Sequence, residues 1–220
     1  IAVNTAGANI ATVNSNNTLT NNGSITSNNA NDVVGVRITP GITGGYTGTG
    51  TISIAEAYTR TDTDNDGDLD GPLAQGSNRI GILVEAGGVL NGNVEIANSN
   101  NVATPVGGSI SVEGNNSYAV SIRSDLNGSY IQHGFVSVTG SNSVGVDIRE
   151  DVSGNIDIGS ERTVTNATTP VQSIVNGGIT ATGENAVALR VLGNVSGEFN
   201  IDGAISSTGF ARGASSNYYD

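Results

Sequence analysis

Residues Gly134 to Ile158 read GFVSVTGSNSVGVDIREDVSGNIDI, and apolar residues alternate with small polar ones along them. Val136 and Val138 form one pair, Val144, Val146 and Ile148 a triplet, and Val152, Ile156 and Ile158 follow a corner. A period of two marks strands that send alternate side chains to a core. Gly140-Ser141-Asn142 and Ser153-Gly154-Asn155 separate the runs. Glycine and asparagine accept the positive φ of tight turns. The stretch therefore predicts three short strands joined by two bends.

The same stretch recurs along the chain. A step of 26 residues back carries Val136, Gly140, Val146, Ile148, Val152, Gly154 and Ile156 onto Ile110, Gly114, Val120, Ile122, Leu126, Gly128 and Tyr130. A step of 43 forward carries them onto Ile179, Gly183, Leu189, Val191, Val195, Gly197 and Phe199, and a further 26 takes Ile179 to Ile205. The longer step is the shorter one plus a 17-residue insertion. Val34, Val36 and Ile38 match Val144, Val146 and Ile148 at an offset of 110, and Ile42 and Tyr46 match Val152 and Ile156. A fixed period of this size signals stacked repeats. The expected fold is an all-β parallel β-helix, a solenoid with three strands per coil of about 26 residues.

One elongated domain, residues 1–220, is expected, with loop insertions at corners near 55–76, 97–106 and 159–176. Residues 1–22 are the least regular, and Val3, Ile10, Val13 and Leu19 supply one incomplete coil. About five coils carry the full pattern, which makes a rod roughly 25–30 Å long at ordinary strand spacing. Glycine, asparagine and β-branched residues argue against helix throughout.

Composition narrows the function. The formal net charge is −12 and the basic residues number eight, which disfavours nucleic acid and anionic membrane surfaces. No apolar run approaches the roughly 18 residues of a spanning helix. Cysteine is absent, so no disulfide framework exists to read. Residue 1 is Ile, which suggests a processed product or a piece of a longer chain.

The segments TLTNNGSITS (Thr18 to Ser27), GGSISVEGNNSYAVSI (Gly107 to Ile122) and GGITATGENAVALRV (Gly177 to Val191) resemble the passenger region of bacterial autotransporters. The resemblance covers nearly all of residues 13–212. It implies a right-handed parallel β-helix outside the cell, at the bacterial surface. Such passengers include adhesins, proteases and structural fibres. A C-terminal outer-membrane barrel is expected in the parent of such a passenger.

The sharpest site motif is Asp62-Thr63-Asp64-Asn65-Asp66-Gly67-Asp68-Leu69-Asp70-Gly71. Alternate carboxylates followed by glycine match the first half of a D-x-D-x-D-G calcium loop. Asp62, Asp64, Asp66, Asp68 and Asp70 are the expected ligands of a structural calcium ion. The twelfth position is Leu73 where an EF-hand has Glu, so the pattern sits nearer to the acidic loops of extracellular repeat proteins. A solvated acidic loop is the plain alternative.

A charged strip is the second candidate. The repeat stacks Arg123 over Arg149, Asp125 over Asp151 and Arg190 over Asp147. Such a strip could hold or cleave a polysaccharide. The simpler expectation is a solvent face with weak ion pairs between coils, on which Asp147→Val is tolerated. His133, the sole histidine, is expected at a water-exposed corner. Tyr46, Tyr130 and Phe199 share one aligned position and are expected to stack in the core.

These readings lead to an extracellular structural or adhesive β-solenoid without catalysis of its own. Neither end shows amphipathic helical periodicity, so either the 220 residues are cut from a longer solenoid or subunits stack head to tail into fibres, and stacking is the expected one. A cell-surface or matrix polysaccharide is the other expected partner. The alternative is a polysaccharide lyase or hydrolase on the same scaffold.

Overall fold

The computed structural model describes residues 9–13, 18–41, 43–65, 69–96, 108–166, 169–175 and 177–209. Ile42, Asp66, Gly67, Asp68 and the 97–106 insertion lie outside the described residues. The described chain is all-β, with 22 strands and no helix.

Three six-stranded sheets carry the fold. The first contains β1 (Asn9–Val13), β4 (Val34–Ile38), β7 (Ile80–Val84), β11 (Tyr118–Ile122), β15 (Val144–Ile148) and β20 (Val187–Val191). The second contains β2 (Leu19–Asn21), β5 (Tyr46–Gly48), β9 (Val94–Ile96), β13 (Tyr130–Gln132), β16 (Ile156–Ile158) and β21 (Phe199–Ile201). The third contains β3 (Ser24–Asn28), β6 (Thr51–Ala55), β10 (Ser109–Glu113), β14 (Phe135–Thr139), β19 (Gly178–Thr182) and β22 (Ala204–Thr208). Short β8 (Val89–Asn91) and β12 (Asp125–Asn127) pair with each other between the first and second sheets.

The chain visits the first, second and third sheets in turn and returns, adding one parallel rung to each sheet per circuit. This path is consistent with a parallel β-helix or solenoid. The register follows the repeat. Val136 lies between Ile110 and Ile179, and Val146 between Val120 and Leu189. The 17-residue difference is an antiparallel hairpin, β17 (Ser160–Asn166) and β18 (Thr169–Val175), which leaves the flanking register intact.

Stacking in register builds the core as columns of like residues. Ile52, Ile110, Val136 and Ile179 form one column, all 0–2 % exposed. Tyr46, Val94, Tyr130 and Ile156 form another, equally buried. Phe199 ends that second column but is 45 % exposed, because β21 is the last strand of its sheet. The aromatic stack expected from the sequence does not form: Tyr46 and Tyr130 are buried in the core, but Val94 separates them and Ile156 separates Tyr130 from Phe199.

The first sheet departs from strict alternation. Its pairing skips the second residue of each strand, so Val144 pairs with Tyr118 and Val187, and Val146 is the next to pair. The skipped residues are Ile10 in β1 and, in the other five strands, Gly35, Gly81, Ala119, Gly145 and Ala188. A Cβ on Gly145 would sit 2.5 Å from the Ala188 carbonyl oxygen and 2.6 Å from Ile179 Cγ2, so only a small residue fits. The shift reverses the preceding position. Val34, Ile80 and Leu83 form a separate cluster with Tyr118 packed on it. Val144, expected beside Val146 and Ile148, lies outside the core cluster that holds those two.

One corner repeats a single backbone state. Asp32, Asn78, Asn116, Asn142 and Asn185 each precede a first-sheet strand by two residues and have φ between 50 and 58°. Asparagine and aspartate tolerate this left-handed region better than other side chains. Their side chains also link rungs, with Asn185 Nδ2 donating to Asn142 Oδ1 at 3.2 Å.

Val146→Asp should place an unpaired charge in a fully buried column and cost roughly 3 kcal/mol or more. Phe135→Ser, at a position 61 % exposed, should change stability by no more than about 0.5 kcal/mol. Denaturant melts of the two variants check the assigned faces, and equal losses would contradict them.

Candidate functional site

The acidic insertion is tied down at its root before its tip is reached. Glu56 accepts hydrogen bonds from the Gln75 and Gly76 amides, each at 2.9 Å, so one carboxylate closes both ends of the insertion. Beneath it lies Arg79, 1 % exposed, whose Nη1 is 3.6 Å from Glu56 Oε2. Arg79 also donates from Nε to the Ala30 carbonyl (2.7 Å) and from Nη1 to the Glu113 carbonyl (2.5 Å). A buried guanidinium with several acceptors locks its surroundings, since losing one partner strands the charge. The sequence reading missed Arg79. In register it occupies the position of Val33, Ser117 and Ser143, and a charged residue at a position filled elsewhere by buried residues is the signal that could have found it.

Above the root the chain closes again where the Asp70 amide donates to the Thr61 carbonyl at 3.0 Å. Asp62, Asp64 and Asp70 gather at the tip with carboxylate oxygens within 4.8 Å of one another. Asp62 accepts from the Asn65 amide at 2.6 Å, and Asn65 turns the chain at φ 62°. Asp70 Oδ2 accepts from the Thr63 hydroxyl and the Thr63 amide. The hydroxyl bond, then the amide bond, hold the Asp70 carboxyl below an ordinary aspartate's 3.8. A depressed carboxyl adds its stabilisation above the ordinary value and loses it as pH falls through the lowered one. Of the five aspartates expected as ligands, three converge and two, Asp66 and Asp68, lie outside the described residues.

The charged strip lies on the outer face of the first sheet and differs from a loose solvent face. Asp147 is 0 % exposed. Its Oδ2 accepts from Arg149 Nε at 2.6 Å and its Oδ1 from Arg190 Nε at 2.7 Å. These bonds to Asp147 hold both guanidinium groups above their usual pKa. Arg149 Nη2 also donates to the Tyr118 hydroxyl at 3.2 Å. The repeat placed these residues correctly, but the burial of Asp147 overturns the expected weak surface pair. Two long arginine stems close over the carboxylate, and the Tyr118 hydroxyl accepts from one of them.

The stacked aspartates at the next corner serve the backbone. Asp125 Oδ1 accepts the Asp151 amide at 3.3 Å, and Asp151 Oδ1 accepts the Asn194 amide at 2.7 Å. His133 is partly covered, contrary to the exposed corner expected of it. Its Nε2 is buried 3.8 Å from Asp157 Oδ2, without a hydrogen bond.

No protein-family model matches this chain, and no curated protein or solved structure matches it either. Among the described residues, no helix is long and apolar enough to cross a membrane.

Asp147→Val should leave two arginines without their shared acceptor and cost about 2 kcal/mol, where a surface pair would cost well under 1. Thermal melts in low and high salt check this, because a buried carboxylate clamp is screened only weakly.

Proposed function

We propose that this chain is an extracellular structural or adhesive element of a bacterial surface, built as a right-handed parallel β-helix that extends by stacking end to end. The observation that carries the reading is the last described rung. Phe199 and Ile201 are 45 % and 48 % exposed, whereas their column neighbours Ile156 and Ile158 are both 0 % exposed. Such a rung offers uncovered apolar residues beside a sheet edge that is unpaired among the described residues, and an incoming strand satisfies both at once. The occupant proposed is the first rung of a second copy. A head-to-tail contact of this kind does not close on itself and propagates as a filament.

Two further features support a scaffold over an enzyme. The carboxylates Asp125, Asp147 and Asp151 are each engaged in bonds between or within rungs. The resemblance of Thr18 to Ser27, Gly107 to Ile122 and Gly177 to Val191 to autotransporter passengers supports the surface location. In this reading the chain has no catalysis of its own, and the polysaccharide-degrading alternative gains no carboxylate free of a structural bond among those three.

The acidic tip is proposed to hold calcium in a structural role. Asp62, Asp64 and Asp70 supply hard oxygens, and a calcium ion takes about six to eight of these, so backbone carbonyls and water would complete the shell. Because Glu56 and Arg79 already fix the root, binding should order the tip and leave the rungs nearly unchanged.

Electron microscopy and sedimentation of the purified chain should show filaments that lengthen with concentration. A Phe199→Asp/Ile201→Asp double variant should remain folded and give only short single rods. Single rods from the wild type at every concentration would refute stacking.

Calorimetric titration with calcium should give heat in the wild type and none in an Asp62→Asn/Asp64→Asn double variant, with thermal midpoints of the two apo proteins nearly equal. Identical titrations would leave a solvated acidic loop.

A further inference from the structure

The charged face of the first sheet splits into a closed part and an open part. All eight basic residues are arginine, and four of them, Arg37, Arg123, Arg149 and Arg190, lie along this face. Three are matched: Arg37 with Glu85, and Arg149 and Arg190 with Asp147. Arg123 is the exception. Its Nε donates to Ser121 Oγ at 3.0 Å, and its guanidinium carbon lies 5.6 Å from the centre of the Tyr118 ring. Among the described residues no carboxylate lies within ion-pair distance of Arg123, and none accepts from its Nη atoms.

Arg123 instead borders a shallow cleft of about 220 Å³, lined also by Gly87, Gly88, Ser124, Asp125 and Glu150. The cleft has a simple origin. Three successive rungs contribute to it, and the first is two residues longer here: Val84 to Val89 runs alongside Ile122 to Asp125, and the extra length carries Gly87 and Gly88. A Cβ on Gly87 would meet nothing within 4 Å, whereas one on Gly88 would lie 3.1 Å from Pro40 Cβ, so the extra residues pack on the rung before at Gly88 and stay open at Gly87. Burial, followed by the nearby positive charge of Arg149, lowers the pKa of Arg123. The cation thus stands across an opening from Asp125 and Glu150 without pairing to either.

This arrangement selects by charge. A simple anion meets Asp125, Glu150 and the chain's net charge of −12. A simple cation meets Arg123 and, behind it, Arg149. A neutral group with adjacent hydroxyls fits both sides, because one hydroxyl oxygen accepts from the guanidinium while its neighbour donates to a carboxylate. From this complementarity we infer that the Arg123 cleft binds a neutral sugar residue of a polysaccharide, with Arg123 as donor and Glu150 and Asp125 as acceptors. The inference rests on the adhesive side of the function proposed above and names its ligand class. The cleft is open at the surface and runs across rungs, so an internal residue of a chain can enter as readily as an end. Tyr118 holds the guanidinium from the protein side and takes no part in contact with the sugar.

Saturation-transfer NMR with a panel of neutral hexose and N-acetylhexosamine oligosaccharides tests the site, with sulfated and uronate-containing oligosaccharides and a zwitterionic dipeptide alongside. The wild type should bind at least one neutral oligosaccharide. Arg123→Ala and the exposed Glu150→Gln should each weaken that binding about tenfold or more, as expected for loss of a charge-assisted hydrogen bond. Thermal melts of both variants establish that they remain folded, and Glu150→Gln keeps the test informative if Arg123→Ala does not. Neutral-sugar binding unchanged in both folded variants would overturn the cleft while leaving an adhesive role intact. Binding of only the anionic glycans or only the dipeptide would overturn the assignment to neutral sugar. Absence of binding to every probe, with filaments still formed, would overturn the cleft and leave the structural role standing.

Discussion

Parallel stacking in register is the constraint from which the rest of this structure follows. Each strand exchanges its backbone hydrogen bonds with the strands one circuit before and after, so equivalent residues lie on one another at about 4.8 Å. A column then favours residues that pack on their counterparts one rung away. Isoleucine and valine satisfy this inside the sheets, as in Ile52, Ile110, Val136 and Ile179. Asparagine and aspartate satisfy it at the left-handed corner, where Asn142 and Asn185 also bond to each other. No single centre holds the fold together; burial accumulates rung by rung.

The same rule makes charge hazardous, because like would lie on like. The chain resolves this by breaking identity along charged columns. Ser121, Asp147 and Arg190 succeed one another in register, so the carboxylate meets a hydroxyl on one side and a guanidinium on the other. At the corner, Asp125 and Asp151 do repeat, and there each carboxylate takes a backbone amide from the next rung. Arg79 is the one guanidinium carried fully inward among the described residues, and it connects the root of the acidic insertion to two rungs through Ala30 and Glu113. Insertions enter where the ladder turns, and the hairpin of β17 and β18 shows that such an addition need not disturb the register on either side.

The end of the stack and the cleft beside Arg123 are two outcomes of one geometry. The last described rung keeps the core residues its neighbours bury, and Phe199 and Ile201 stand open there. A rung with extra residues at a corner departs from its neighbours' outline, and Gly87 and Gly88 line the gap that results. Repetition provides the surface, and departures from repetition provide the places where something else can bind.

The sequence by itself determined the repeating strands of the rungs, their period and their partners, but not the hairpin of β17 and β18, which it read as a loop insertion. The spacing of Val136, Val146 and Ile156 from Ile110, Val120 and Tyr130 is the pairing found, because in a stacked repeat the register is the alignment of the chain with itself. It also placed Asp62, Asp64 and Asp70 together in one insertion, since they are close along the chain. Only the tertiary structure decided which face Val144 takes, because the skipped residue in the first sheet depends on how near Gly145 comes to Ala188 and Ile179 across a rung and a sheet. Only it showed Asp147 buried, Arg79 inside and Arg123 without a carboxylate partner. A period of two distinguishes inward from outward. It says nothing about how deeply an outward side chain is covered by long neighbours from adjacent rungs, and that depth separates a structural ion pair from an open binding group.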